Sequence, residues 1–259
     1  MMKERKRLKS AMGWSTRDSV TVRGRDLSTE LLGKVDLGGM AFLEIRGRLP
    51  TAKEADVFNA VLITLVEHGM TPQAIATRLV NLAAPEALQA AVAAGLCGVG
   101  SVFAGGSEQT AKMLQNALKD GAEASAIPGI ADRIVETFVS QRQPIPGIGH
   151  PLHKPIDPRT PVLFAIAERN GFRGRHVALL EEISQRAEAR LKRELPINAT
   201  GAIGAILSEL EFPWQICRGI AVISRAVGLV GHLAEEMKNP LGREIWERVE
   251  EEVFENRDQ

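Results

Sequence analysis

Much that often guides the reading of a sequence is scarce in this chain of 259 residues. Tyrosine is absent, and nothing follows from that. Only two cysteines occur, Cys97 and Cys217, each in an apolar, small-residue setting. This fits reduced core thiols in a cytoplasmic protein. An excess of charge is missing too, since Lys+Arg and Asp+Glu both number 32. No bulk basic surface is therefore offered to nucleic acid or to an anionic membrane, and neither is an expected partner. There is no run of about 18 apolar residues, so no membrane-spanning helix is expected. The basic stretch 1–10 lacks the apolar core of a signal peptide and reads as a solvated tail. Internal repeats and low-complexity linkers are absent as well.

What is present is helical periodicity. The length allows one large core or two smaller ones. Ala55, Phe58, Val61, Leu62 and Leu65 share a face of a helix over residues 52–67, which Pro50-Thr51 opens and Gly69 closes. Thr71-Pro72 opens a helix over 71–82. Pro85-Glu86 opens an alanine-dense one over 85–95, whose small side chains suit close packing among helices. Helical spacing continues over 108–118, 130–141, 161–171, 176–194, 203–210, 214–236 and 243–256. Strand alternation is confined to 19–25. The expected fold class is all-α.

The most informative segment is Gly147-Ile148-Gly149-His150-Pro151-Leu152-His153-Lys154-Pro155-Ile156-Asp157-Pro158-Arg159. Glycine lets backbone approach a ligand closely, and proline stiffens it. Histidine can donate a hydrogen bond or move a proton near neutral pH, and arginine grips a carboxylate with a two-pronged fork. The expected ligand therefore carries a carboxylate and a carbonyl or hydroxyl. His68 ends an apolar helix, where a histidine serves equally well as a cap or as a ligand contact. Gly105-Gly106 precedes a helix, so free N–H groups could face an anion or a developing enolate oxygen. Arg225 lies among Ile220, Val222, Ile223, Val227 and Leu229, and burying it calls for an anionic partner. His232, on the same helix, is expected to pack or hydrogen-bond within the bundle. The histidines lack metal-ligand spacing, so no metal is expected.

Gly-x-Gly-His followed by Asp-Pro-Arg resembles the signature of the citrate synthase superfamily, which includes the citryl-CoA lyase module of ATP-citrate lyase. Further segments resemble that family in the same order. Gly47-Arg48-Leu49-Pro50-Thr51 is similar to its Gly-Glu-Leu-Pro-Thr, and Glu67-His68-Gly69 to its Asp-His-Glu or Asp-His-Gly. Arg225 and His232 fall on its Arg-x-x-Gly-x-x-x-His, and the likeness runs over about residues 22–236. It implies a citrate synthase-like helical bundle, with a large domain (1–102 and 201–259), a smaller inserted one (103–200) and a site between them. It also implies a homodimer, with the alanine-dense helix packing across the two-fold axis. By the same resemblance, His68, His150, Arg159 and Arg225 would hold the substrate, with His150 also catalytic. Pro146, Gly147, Ile148 and Gly149 would accept part of coenzyme A, with Lys154 near a phosphate. The implied partners are acyl-CoA and di- or tricarboxylates. No cofactor is expected beyond coenzyme A as part of the substrate.

Three positions depart from the family pattern. Phe103 stands where citrate synthases carry a histidine that polarises the acetyl-CoA thioester. The citryl-CoA lyase module also has phenylalanine there, which draws the resemblance toward lyases. Ala104 replaces the first glycine that follows. Asn198-Ala199-Thr200 falls on the family's Asn-Val-Asp, so Thr200 stands in place of the catalytic aspartate. A threonine hydroxyl can relay a hydrogen bond but is no base at neutral pH, and losing a general base costs roughly 100- to 10,000-fold in rate. His153 is the nearest residue that could assist, or it faces only the loop surface or a subunit contact. Three readings stay open: an enzyme interconverting citryl-CoA with acetyl-CoA and oxaloacetate, a lyase for a related 3-hydroxy-3-carboxyacyl-CoA, and a binding protein without fast chemistry.

Overall fold

A computed structural model describes residues 8–103, 105–119, 123–150 and 152–256. Ala104 and the first seven residues of the expected tail lie outside them, and residues 8–10 are exposed. The chain divides into two compact units, one ending at Asn59 and the other beginning at Ala60.

The first unit opens with a small antiparallel sheet, β1 (Gly13–Ser15), β2 (Val20–Val22) and β3 (Arg25–Asp26), in that order. The expected strand is thus the middle of three. A wide helical turn, Leu27–Leu31, follows, capped by the Asp26 carboxylate accepting from the Thr29 N–H. Helix α1 (Leu37–Arg46) comes next. It was not legible in the sequence because Gly38-Gly39 near its start reads as a breaker. Asp36 caps it by accepting from the Gly39 N–H, and Gly47 ends it in the left-handed region. Phe42 meets Phe58 edge to face with ring centroids 5.5 Å apart.

Helix α2 (Ala52–Val66) leads into the second unit, which holds α3 (Pro72–Ala83), α4 (Leu88–Cys97), α5 (Gly106–Ala117), α6 (Ile127–Ser140), α7 (Arg159–Asn170), α8 (Arg175–Leu191), α9 (Ala199–Glu209), α10 (Trp214–Glu236) and α11 (Gly242–Glu255). The all-α expectation holds, with boundaries shifted by a few residues. The largest shift is at α9, which begins at Ala199 rather than at Ile203 because Asn198 caps it there. Helix α9 is buried along almost its whole length and packs against α5, α7 and α8. Helix α10 packs on α3, α4, α5 and α9.

One expectation needs correction. Cys97 is exposed at the end of α4, and only Cys217 is buried. Small neighbours signal close packing on one face of a helix, but not which face. Helix α10 is apolar and long enough to cross a membrane by length and composition alone, but half of its most apolar stretch is buried, as in the core helix of a bundle. Arg218 and Arg225 interrupt its apolar residues, so it contains no run of about 18.

Glycine lets α10 approach its neighbours. A Cβ on Gly228 would lie 2.1 Å from the carbonyl oxygen of Val66, whereas one on Gly231 would meet nothing within 4 Å. Gly228→Ala should therefore destabilise by about 1–3 kcal/mol through overpacking. Gly231→Ala should be neutral or stabilising by up to about 1 kcal/mol through helix propensity. Urea denaturation midpoints of the two variants check this contrast; equal effects would rule it out.

Candidate functional site

The loop before α7 is fastened to the start of α9. Gly147 has φ 86°, and a Cβ there would lie 2.5 Å from the Thr110 hydroxyl and 2.7 Å from the Gly201 Cα. In the other direction, a Cβ on Gly201 would lie 2.1 Å from the Gly147 carbonyl oxygen. Asn198 joins the two segments. Its N–H donates to the Gly147 carbonyl (3.0 Å), its side-chain amide donates to the Gly149 carbonyl (2.8 Å), and its Oδ1 caps α9 by accepting from the Gly201 N–H (2.9 Å).

This attachment presents His150. Its Nδ1 accepts from the backbone N–H groups of Leu152 (3.1 Å) and His153 (3.0 Å). In the neutral ring the proton must then sit on Nε2, making that atom a donor. Burial pushes the His150 pKa below the ordinary histidine value; His153, Arg159 and His68 act the same way, and Asp157 opposes them. His153 stacks on His150 with centroids 4.3 Å apart.

Asp157 is fully buried. It holds Arg159 by two parallel hydrogen bonds, from Nε (2.9 Å) and Nη2 (2.8 Å), and accepts from the Ala199 N–H at the start of α9 (2.9 Å). Burial pushes its carboxyl up, but the Arg159 side chain and the N–H groups of Ala199 and Arg159 outweigh burial and hold it at about 2. Arg225 projects from α10, 7% exposed, and its buried Nη1 has no hydrogen-bond partner among the described residues. Burial lowers its pKa, and the charge of Glu67 opposes that. A buried, unpartnered guanidinium N–H is a receptor for an anion.

His150, Arg159 and Arg225 line one cavity of about 390 Å³. Its walls also include His68, together with Phe103, Asn198, Thr200, Gly149 and apolar Leu65, Leu152 and Ile203. A cavity of about 430 Å³ beside α7 and α8 holds none of the four ligand-type side chains. Nitrogens of His68, His150 and His153 also lie within 4.8 Å of one another, a convergence that sequence spacing did not bring out. The His150 tautomer argues against metal binding there: its accepting nitrogen already faces two N–H groups, and the other carries the proton.

The family model described as "Citrate synthase, C-terminal domain" matches residues 29–247. The chain belongs to the citrate synthase family. Among solved structures, the citryl-CoA lyase of Hydrogenobacter thermophilus is 31% identical, with a TM-score of 0.80 over 90% of this chain and 88% of that one. ATP citrate lyase from Methanothrix soehngenii, solved with citrate and coenzyme A, is 20% identical with a TM-score of 0.76 over 92% of this chain and 40% of that one. At that identity the likeness is one of fold. Citrate synthase of Helicobacter pylori is 25% identical over 201 residues, 74% of this chain and 46% of that protein. The chain spans about half the length of the curated relatives it matches.

This member of the citrate synthase family has Thr200 on the cavity wall, its hydroxyl donating to the Asn198 Oδ1 at 2.7 Å. That proton is committed to the helix cap. Phe103 stands at the cavity, 46% exposed. Of the expected coenzyme A residues, Gly149 lines this cavity. Pro146 is half-buried, Gly147 is buried against α9, and Ile148 lines a separate cavity of about 360 Å³. Lys154 is exposed and is not part of the cavity wall. Sequence reasoning passed over Asp157 as the holder of Arg159 and Asn198 as the fastener of the loop. The Asp-Pro-Arg spacing, and an asparagine opening a glycine-containing helix, were the available signals.

Asp157 titrates at about 2 against 3.8 for an ordinary aspartate. A depressed pKa means that its stabilisation is complete above pH 3.8 and is lost as pH falls through about 2. Asp157→Asn should therefore be less stable than the parent by a constant margin down to about pH 4, with the gap closing below that. Urea unfolding across that range measures the margin; a gap independent of pH would contradict the assignment.

Proposed function

We propose that this protein is a citryl-CoA lyase-type enzyme, interconverting citryl-CoA with acetyl-CoA and oxaloacetate. The observation that carries this reading is the convergence of two arginines, one with a buried, unpartnered N–H, and a neutral donor histidine on one cavity. The 31% identity with the Hydrogenobacter enzyme over nearly the full length of both chains supports it.

In cleavage, the tertiary hydroxyl loses its proton and its oxygen becomes the keto oxygen of oxaloacetate. The carbon–carbon bond breaks, and its electron pair forms the enolate of acetyl-CoA, which is then protonated at carbon. Arg225 and Arg159 hold carboxylates, with His68 beside them. The His150 Nε2–H donates to the oxygen that alternates between hydroxyl and carbonyl, where charge develops. His153, stacked on His150, is the adjacent nitrogen base. The thioester enters past Gly149, with Pro146, Gly147, Ile148 and Lys154 reading the rest of coenzyme A. A large domain of 1–102 and 201–259 and a small one of 103–200 belong to the same proposal.

Thr200 and Phe103 supply no base, and the Thr200 proton is engaged by Asn198, which supports a second reading as an acyl-CoA and dicarboxylate binder. Incubation with citryl-CoA, following free oxaloacetate, separates the two: release is expected, and binding without release favours the binder. Arg225→Ala should weaken carboxylate binding by about 2–5 kcal/mol. Thr200→Asp should raise turnover if the absent base is what limits it.

A homodimer is also proposed. On α4, Ala90, Ala93 and Cys97 form an exposed face of small residues, opposite a buried face that includes Ala91. Ala93→Glu should shift the protein toward monomer in sedimentation without loss of helicity. Ala91, fully buried within the chain, would report on folding instead. An unshifted profile for Ala93→Glu would count against the α4 interface.

A further inference from the structure

Behind the cavity runs a chain of polar groups, buried at Arg78, His232 and Glu236, that the proposed reaction does not use. Arg78 of α3 is completely buried. Its guanidinium donates to Glu235 and Glu236 on α10 and to the Nδ1 of His232, from Nη2 at 2.9 Å and from Nε at 3.3 Å. Glu236 is held in turn by the Gly242 N–H at 2.7 Å. An arginine cannot give up its proton here and cannot accept one, so the His232 Nδ1 must be the acceptor. The proton of neutral His232 is thereby placed on Nε2, which faces the Glu67 carboxylate at 3.1 and 3.2 Å.

Glu67 is the last link. Its Oε1 accepts from the backbone N–H groups of His68 (2.8 Å) and Gly69 (2.5 Å), where the chain turns out of α2 through Gly69 at φ 73°. It is also the anion whose charge opposes the cost of burying Arg225. Gly228 makes the arrangement possible, since a Cβ there would lie 2.1 Å from the Val66 carbonyl oxygen and 3.1 Å from the Glu67 carboxylate. Two ligand-type residues, His68 in the turn after α2 and Arg225 on α10, thus share one fastening point.

We infer that Glu67 and His232 are positioning residues, with His232 oriented by Arg78 so that its Nε2–H fixes the Glu67 carboxylate, which in turn sets the His68 turn and the field at Arg225. The inference rests on the dicarboxylate-binding part of the proposed function and goes beyond it. It extends the site to residues that touch no substrate. The Glu67 carboxylate is partly exposed, so replacing it need not unfold the chain.

The test uses the full chain with oxaloacetate as the probe. Glu67→Gln and His232→Leu should each weaken oxaloacetate binding in calorimetry by roughly tenfold, about the net contribution of one hydrogen bond. KM should rise more than kcat, and His232→Gln, which keeps an N–H donor, should recover part of the loss. Long-range proton–nitrogen spectra should show His232 with a bare Nδ1 and a protonated Nε2, with its signals assigned by their disappearance in His232→Gln. Unchanged oxaloacetate affinity in folded Glu67→Gln, or a His232 proton on Nδ1, overturns the inference. Absence of citryl-CoA cleavage alongside intact oxaloacetate binding defeats the lyase reading instead, so the two failures are distinct.

Discussion

The cavity depends on one close approach, between the backbone of Gly147 and that of Gly201 at the first turn of α9. No side chain fits between them, so the loop carrying His150 is pressed onto the helix and tied there by Asn198. Asp157 extends the same attachment by accepting the Ala199 N–H while holding Arg159. A histidine, an arginine and Thr200 therefore take their positions from a single helix start.

The charges follow a matching logic. Each arginine of the cavity has an anion of its own nearby, Asp157 for Arg159 and Glu67 for Arg225, so neither is an uncompensated buried charge. The compensation differs in kind. Asp157 occupies Nε and Nη2 of Arg159 directly, whereas Glu67 acts on Arg225 through its field and leaves a buried N–H unpartnered. One arginine is fixed in place and the other is left open to an incoming carboxylate. The neutral His150 suits this setting, since burial and the charge of Arg159 both disfavour a further positive charge there.

The helices were largely legible because their apolar spacing is regular, and α10 was read with its full bounds. Helix α1 was not, because Gly38-Gly39 looks like a break until Asp36 is seen capping the turn and Asn59 is seen 2.0 Å from where a Gly38 Cβ would stand. His68, His150, Arg159 and Arg225 were legible through motif order, as was the departure at Thr200. Asp157, Asn198, Glu67 and Arg78 were less so, since each acts by accepting or donating to groups far from it in the chain.

The sequence by itself determined the helical class, the family, and the residue types available for carboxylate and carbonyl recognition. These depend on local periodicity and on motifs a few residues long. Tertiary structure alone decided which nitrogen of His232 carries the proton, which anion lies near Arg225, and which face of α4 is exposed. Those properties are set by partners brought together across the fold, such as Arg78 with His232 or Gly147 with Gly201, and no spacing along the chain encodes them.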